Sequence, residues 1–369
     1  MYLEKLSLEN FKNYERSALN FSPFINVITG KNGSGKTNLL DAIYFLSLTK
    51  SAFSSNDQLN IRKGESFFRI EGNFIKDNKS FLVEAAFSGS SKKIIKVDKM
   101  LCEKVKDHVG RFPVILMTPY DTDVIREGSE ERRKFFDSVF SQSDKSYLSE
   151  LIKYGQILKQ RNALLKDFFE KNYVNQELLN VYDKQLLESG YFIYEFRKKF
   201  TRELVPFFNQ YYQKLTEGNE NVKVEYQSQL SENDFDQSLK NSLRSDIVSQ
   251  RTSRGIHKDD FYFEINDLPL KNFGSQGQQK SFVISLKLAQ YQLLEKANGE
   301  KPIILLDDIF DKLDESRIAK LMNLVSGEEF GQIFITDARV KRTLTLFEDL
   351  KTKILIFEVE NGTLKEKSI

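Results

Sequence analysis

The segment Phe24-Ile25-Asn26-Val27-Ile28-Thr29-Gly30-Lys31-Asn32-Gly33-Ser34-Gly35-Lys36-Thr37-Asn38-Leu39-Leu40 decides the reading of this chain. Its left half is a short apolar strand. Its right half, continued to Leu48, sets Leu39, Leu40, Ile43 and Leu46 at helical spacing. Between them Gly30–Thr37 fits G-x-x-x-x-G-K-[ST] in full, in the strand–loop–helix context the motif requires. Gly30, Gly33 and Gly35 let backbone N–H groups wrap phosphates, and Lys36 reaches the β and γ oxygens. Asn32 and Asn38 belong to the same candidate ATP cradle, and the Thr37 hydroxyl is a candidate Mg²⁺ ligand.

Far downstream, Pro302-Ile303-Ile304-Leu305-Leu306-Asp307-Asp308 reads as a buried strand ending in two acids. An acid at that end points into the phosphate crevice of an open α/β sheet. Asp307 is expected to hold Mg²⁺, directly or through water, and Asp308 to orient or deprotonate the attacking water. The plainer alternative is a pair of acids capping the next helix. Most of the chain separates the two motifs, so the head is expected to be assembled from both ends of the sequence.

Ahead of the acids lies Asn272-Phe273-Gly274-Ser275-Gln276-Gly277-Gln278-Gln279-Lys280-Ser281, followed by a helical pattern over Phe282–Leu294. A serine, a glycine and a polar run at a helix start make either a phosphate cradle or an ordinary capped helix. The glycine-rich loop already encloses the phosphates on one side. Ser275, Gly277 and Gln278 are therefore expected to cover the γ-phosphate of ATP held by a partner subunit.

The wider sequence fits a chain of one large domain with an insertion, or two domains, at 369 residues. Lys and Arg total 55 against 53 Asp and Glu, which excludes a mainly basic tail protein and an acidic disordered one. A basic face for nucleic acid stays open. A single cysteine, Cys102, rules out an intrachain disulfide, and two histidines, His108 and His257, leave little for a histidine metal cluster. Met1–Asn10 carries Glu4, Lys5 and Glu9, unlike a signal peptide, and apolar runs fall far short of the ~20 residues a spanning helix needs. A cytoplasmic location is expected.

Tyr2–Leu8 alternates at period two, short strands follow from Ser66 to Val97, and Pro113–Met117 reads as a further buried strand. Ser129-Glu130-Glu131 opens a helix with acids where the dipole favours them. Long charged helical stretches are expected over Ser146–Phe169, Gln176–Phe200 and Thr201–Leu215. Strand texture returns at Asn221–Tyr226 and Phe261–Ile265, and again at Ile303–Leu306, Gln332–Ile335 and Ile354–Val359. The expected fold is an α/β P-loop NTPase with a helical arm-like insertion. Its parts are an N-terminal half-head over 1–125, a helical lobe over 126–235 and a C-terminal half-head over 236–369.

Several segments together resemble the RecF family, bacterial recombination and repair ATPases with an ABC/SMC/Rad50-like head. They are Leu6–Tyr14, Gly30–Ile43, Gly110-Arg111-Phe112-Pro113, Gly128-Ser129-Glu130-Glu131-Arg132-Arg133-Lys134-Phe135-Phe136-Asp137, Ser275-Gln276-Gly277-Gln278-Gln279, Leu305–Asp308 and Leu313-Asp314. The phosphate motifs are common to the superfamily, whereas the Ser-Glu-Glu-Arg-Arg and Ser-Gln-Gly-Gln-Gln segments narrow the resemblance. It implies a two-lobed protein that dimerises when both subunits hold ATP, binds DNA in that state and resets on hydrolysis. The implied process is repair of replication gaps, with RecO and RecR as partners in loading RecA onto single-stranded DNA. By position, Ser275 and Gly277 become the trans contacts to the γ-phosphate, and Asp311 and Asp314 fall in a loop that communicates across the dimer. The chain departs from the family pattern at Gly255-Ile256-His257-Lys258-Asp259-Asp260, at Pro119-Tyr120-Asp121 and at Lys280. Lysine in place of arginine keeps the charge but loses the planar fork. Thr336-Asp337 stands where many ABC ATPases carry a sensing histidine.

Basic residues recur at Lys92-Lys93, Arg132-Arg133-Lys134, Arg197-Lys198-Lys199 and Lys341-Arg342 without forming one run. Each is either a solvated helix face or part of a groove completed on dimerisation. Arg132, Arg133, Lys134, Lys341 and Arg342 are the candidate contacts to DNA, through backbone phosphate and without base preference, with the ATP interface as the alternative place for Arg132 and Arg133. His257 is either a hydrogen-bonded structural residue or part of the DNA or nucleotide machinery. Two other readings stay open: a transporter-type ATPase subunit and a structural DNA-bridging head of the SMC kind.

Overall fold

Two hydrophobic periodicities alternate along the chain, and the computed structural model sorts them into separate layers. It describes residues 1–89, 92–216, 218, 220–231, 235–312, 314–327, 329–339, 354–360 and 362–367. The chain divides into two units. The first holds residues 1–121, 211–217 and 280–369, and the second holds 122–210 and 218–279.

The first unit starts with β1 (Tyr2–Phe11) and β2 (Tyr14–Asn20), then β3 (Ile25–Thr29) runs into α1 (Lys36–Leu48). β4 (Phe67–Lys76), β5 (Lys79–Ser88), β6 (Ile94–Val97), β7 (Met100–Leu101) and β8 (Val114–Met117) follow. An antiparallel sheet of order β2-β1-β4-β5-β6-β7 carries the period-two pattern as a buried and an exposed face. On the buried face Phe11 and Phe68 meet Phe45 of α1 in edge-to-face contacts, with Phe68 at 5.4 Å from each. His108 is wholly buried beside this layer and donates from Nε2 to the Leu46 carbonyl at 2.6 Å; burial pushes its pKa down.

The second unit is mostly helical: α2 (Asp123–Arg126), α3 (Ser129–Ser143), α4 (Lys145–Lys171) and α5 (Gln176–Leu215), whose last turns count with the first unit. The sequence reading expected α5 as two stretches meeting at Phe200–Thr201. One 40-residue helix forms instead, even with Pro206 inside it, at the cost of one backbone bond. β9 (Val222–Gln227), α6 (Phe235–Asn241), α7 (Leu243–Ser249), β10 (Asp260–Ile265), β11 (Leu268–Pro269), α8 (Leu270–Phe273) and the start of α9 (Gln276–Asn298), which from Lys280 on counts with the first unit, complete the run. β9 pairs antiparallel with β10, from Val222 opposite Ile265 to Gln227 opposite Asp260. This pairing moves the expected boundary at 235/236: residues on both sides of it share one sheet, and the unit extends to Gln279. Phe136 of α3 stacks on Phe261 of β10 at 3.8 Å and ties the helices to that sheet.

Two buried arginines hold the helical unit from inside. Arg161 donates to Asp183 at 2.6 Å, and to Asp246 and Thr252 at 2.9 Å each. Arg197, 1% exposed, donates to Asp137, Asp259 and the Ile256 carbonyl. Its position in a basic triplet reads as a solvated face from sequence. The partners that bury it come from α3 and from just before β10.

Back in the first unit lie β12 (Ile303–Leu306), α10 (Glu315–Val325), β13 (Ile333–Asp337), β14 (Ile354–Glu360) and β15 (Thr363–Lys367). The second six-stranded sheet has the order β15-β14-β3-β13-β12-β8. All its pairings are parallel except β14 with β15. β3, β8, β12 and β13 are buried along their whole length, as a parallel sheet covered on both faces requires. Strands from both ends of the chain thus interleave, and their carboxyl ends gather the phosphate motifs.

Candidate functional site

The Gly30–Thr37 loop leaves β3 and enters α1, a helix whose first turn has no side-chain cap and no acidic residue. Its leading N–H groups and the positive end of the helix dipole therefore face an anion unopposed. Gly30, at φ +149°, lets the chain pass β14: a Cβ there would meet the Val359 carbonyl at 2.4 Å. Asn32 and Gly33 are exposed at the loop tip, while Ser34, Gly35 and Lys36 are buried. Lys36 Nζ donates to the Gly30 carbonyl at 3.0 Å and lies 3.9 Å from Asp308 Oδ2.

Asp307 follows β12 and Thr336 is the last residue but one of β13, so both reach the mouth of the loop. The Thr37 hydroxyl donates to the Asp307 carboxylate, with its two oxygens at 2.9 and 3.0 Å. Thr336 Oγ1 donates to Asp307 Oδ1 at 2.8 Å and accepts from the Asp308 N–H at 2.9 Å. Burial pushes the Asp307 carboxyl up from its ordinary value, while the two threonine hydroxyls favour its ionised form. A buried carboxylate beside a hydroxyl is a hard-oxygen donor set suited to Mg²⁺, and a cation there would relieve the burial penalty. Asp308 sits at φ +43°, a left-handed conformation that the Thr336 bond helps to hold. Thr336, placed by sequence where a histidine often stands, thus orients both acids.

The strand β8 runs alongside β12, and the Met117 carbonyl accepts from the Asp307 N–H at 2.8 Å. The loop that follows is pinned by Asp121, which accepts from the Thr118 N–H and hydroxyl. Pro113–Met117 is legible in the sequence as a buried strand of the same texture as β12, but nothing local to it says that it lies beside the acids.

In the second unit Ser275 precedes α9. Its hydroxyl accepts from the Gln278 N–H at 3.2 Å, and Gln278 Oε1 accepts from the Ser275 N–H at 2.7 Å. This reciprocal pair is a capping box, so the capped-helix alternative is present in the structure. The capped start is also exposed at Ser275 and Gln276, with Gly277 half-buried. Gln279 is packed inward, accepting from Arg126 Nε at 3.1 Å.

The basic candidates separate. Arg132 makes a two-pronged pair with Asp260, at 2.6 and 2.9 Å, and Arg133 donates to the Asp259 carbonyl at 2.6 Å. Both guanidinium groups have partners within the second unit. Lys134 is exposed and lies beside Glu130 and Glu131. Lys341 and Arg342 lie outside the described residues. Asp314 caps α10 through the Arg317 N–H, and the side chain of Asp311 is outside the described set. His257 accepts from the Tyr154 hydroxyl at 2.7 Å through Nδ1 and donates from Nε2 to the Thr252 carbonyl at 2.9 Å. It is neutral, with its pKa pushed down to about 4 by burial. Among the described residues no helix is long and apolar enough to cross a membrane.

The family model for the RecF/RecN/SMC N-terminal domain matches residues 2–365. The DNA replication and repair protein RecF of Cytophaga hutchinsonii is 48% identical over 366 residues, covering 99% of this chain and 97% of that protein. A solved structure of the recombination mediator protein RecF-ATPrS in the RecFOR pathway superposes with a TM-score of 0.90 at 28% identity. It covers 100% of this chain and 98% of that one. The Smc head domain of Pyrococcus furiosus shares the fold alone, with a TM-score of 0.57 at 19% identity over 100% of this chain and 96% of that one. A P-loop head joined to a helical unit, matched over nearly its full length, places the chain in the RecF family of DNA replication and repair proteins.

Proposed function

We propose that this chain is an ATP-gated DNA clamp whose nucleotide site is completed by a second copy. As a RecF-family protein it is an ATP-dependent DNA-binding protein of recombinational repair. One observation carries the finer reading: Thr37, Asp307 and Thr336 converge within 3.0 Å at the carboxyl ends of β3, β12 and β13, beside Lys36 and Asp308.

In this reading the loop N–H groups and Lys36 hold the ATP phosphates. Thr37 and Asp307 are the residues that would hold Mg²⁺, which supplies charge neutralisation at the phosphates. Asp308 orients water and takes its proton as the water oxygen bonds the γ-phosphorus and the bond to ADP breaks. Ser275 and Gly277, exposed and half-buried at the start of a 23-residue helix, contact the γ-phosphate of the partner copy. Hydrolysis then removes the contact and releases the dimer. Arg132, Arg133, Lys134, Lys341 and Arg342 remain the candidate DNA contacts, through backbone phosphate. RecR, RecO and a RecA-type recombinase are the partners this reading implies, and weak DNA-stimulated ATPase is the implied rate.

Sedimentation of the wild type and of Lys36→Met, with and without ATP and gapped duplex DNA, tests the reading. The wild type is expected to form an ATP-dependent dimer retained on DNA, and Lys36→Met to stay monomeric and unretained. An ATP-dependent dimer of Lys36→Met would remove the phosphate loop from the gate.

A further inference from the structure

The segment Asn13-Tyr14, at the turn between β1 and β2, has no part in the chemistry above, yet its side chains end on the phosphate loop. Asn13 Nδ2 donates to the Ser34 carbonyl at 2.8 Å, and Asn13 Oδ1 accepts from Asn38 Nδ2 at 2.7 Å. The Tyr14 hydroxyl, on a side chain with no exposed surface, donates to the Gly35 carbonyl at 2.9 Å. From the other end of the chain the Gly362 N–H donates to the same Ser34 carbonyl at 3.1 Å. Two positions have no room for a side chain. A Cβ on Gly35, at φ +120°, would meet the Asn13 amide at 2.5 Å, and one on Gly362 would meet the Asn13 carbonyl at 2.5 Å.

A trans peptide is planar, with its C=O and N–H pointing in opposite directions. Fixing the Ser34 carbonyl therefore fixes the direction of the Gly35 N–H, and fixing the Gly35 carbonyl does the same for the Lys36 N–H. These are amides of the loop that must face phosphate. Hydrogen bonds accepted by a carbonyl also polarise its own N–H, strengthening it as a donor. We propose that Asn13 and Tyr14 are positioning residues for ATP binding: a back clamp, braced by Gly362, that aims the Gly35 and Lys36 amides into the cradle. The proposal rests on the nucleotide reading of that loop.

The test uses the full chain. Asn13→Asp keeps the shape but replaces the donor facing the Ser34 carbonyl with an acceptor, and Tyr14→Phe removes only the hydroxyl. Each is expected to weaken both ATP and ADP about tenfold, equivalent to ~1.4 kcal/mol. The Gly35 amide resonance, observed with ¹⁵N-glycine labelling, is expected to lose most of its nucleotide-induced downfield shift. A merely structural role would lower the melting temperature while leaving nucleotide affinity of the folded protein and that shift unchanged, and this outcome overturns the proposal. If Asn13→Asp folds poorly, Tyr14→Phe carries the affinity test, with the Lys36 amide, observed with ¹⁵N-lysine labelling, losing its nucleotide-induced shift. Failure of the nucleotide reading itself looks different: the wild type would then bind neither ATP nor ADP.

Discussion

Replacing Asp308 with asparagine isolates one charge at the site. Asp308 sits at φ +43°, a region that aspartate and asparagine visit more readily than other side chains, whereas a β-carbon residue such as alanine pays roughly 1–2 kcal/mol there. The backbone bond from the Asp308 N–H to Thr336 at 2.9 Å survives the exchange. What disappears is a carboxylate able to take a proton, and the ion pair at 3.9 Å that engages Lys36. Removing a general base costs about 10²- to 10⁴-fold, or roughly 3–5 kcal/mol of barrier. ATP affinity should hold or rise, because Lys36 is no longer shared with a carboxylate. Single-turnover hydrolysis and ATP affinity measured on one preparation separate the two effects. The expected result is chemistry slowed at least ~100-fold with binding intact and an ATP dimer that persists. Asp308→Ala should show the same rate loss with a lower Tm. An Asp308→Asn variant that hydrolyses ATP at close to the wild-type rate would refute the assignment of water handling to this residue.

Ser275→Arg should leave ATP affinity of the monomer intact and abolish ATP-dependent dimerisation, read by sedimentation; a normal ATP dimer would clear Ser275 of any trans role. Arg197→Met strips the cation that lies 2.9 Å from both Asp137 and Asp259, an expected loss of about 3–5 kcal/mol in urea unfolding at neutral pH. Burial already raises the Asp259 pKa while Arg197 opposes the rise, so the deficit should shrink as acid protonates that carboxylate. A deficit independent of pH would contradict this. His257, held down at about 4 against 6.5 in the free side chain, contributes stability fully above pH 6.5 that fades as pH falls toward 4, by about 3 kcal/mol at most. His257→Gln should flatten stability across that window, and an unchanged acid limb would show that His257 is not its source.

The nucleotide site was legible in the sequence because its pieces are local: a glycine loop between strand and helix, and two acids closing an apolar strand. Long helices were legible from their periodicity, although the pattern was divided at Phe200–Thr201 where one continuous helix forms. Buried arginines were not. Arg197 stands in a run of three cations, and nothing local says that Asp137 and Asp259, each about sixty residues away, will close around it. The partners of Arg132 and Arg133 were hidden for the same reason, since Asp260 and the Asp259 carbonyl reach them from more than a hundred residues downstream. The clamp behind the phosphate loop was hidden for a related reason. It uses an asparagine amide, a tyrosine hydroxyl and a glycine N–H, groups that carry no periodicity and acquire meaning only when β1, β3 and β14 come together.

Completion of each ATP site by a second copy on DNA is tested by hydrolysis per subunit, measured against protein concentration with and without duplex DNA carrying a single-stranded gap. The rate is expected to climb with concentration and again with gapped DNA, and Ser275→Arg is expected to flatten it. A rate per subunit that is constant with concentration and indifferent to DNA would contradict completion by a second copy.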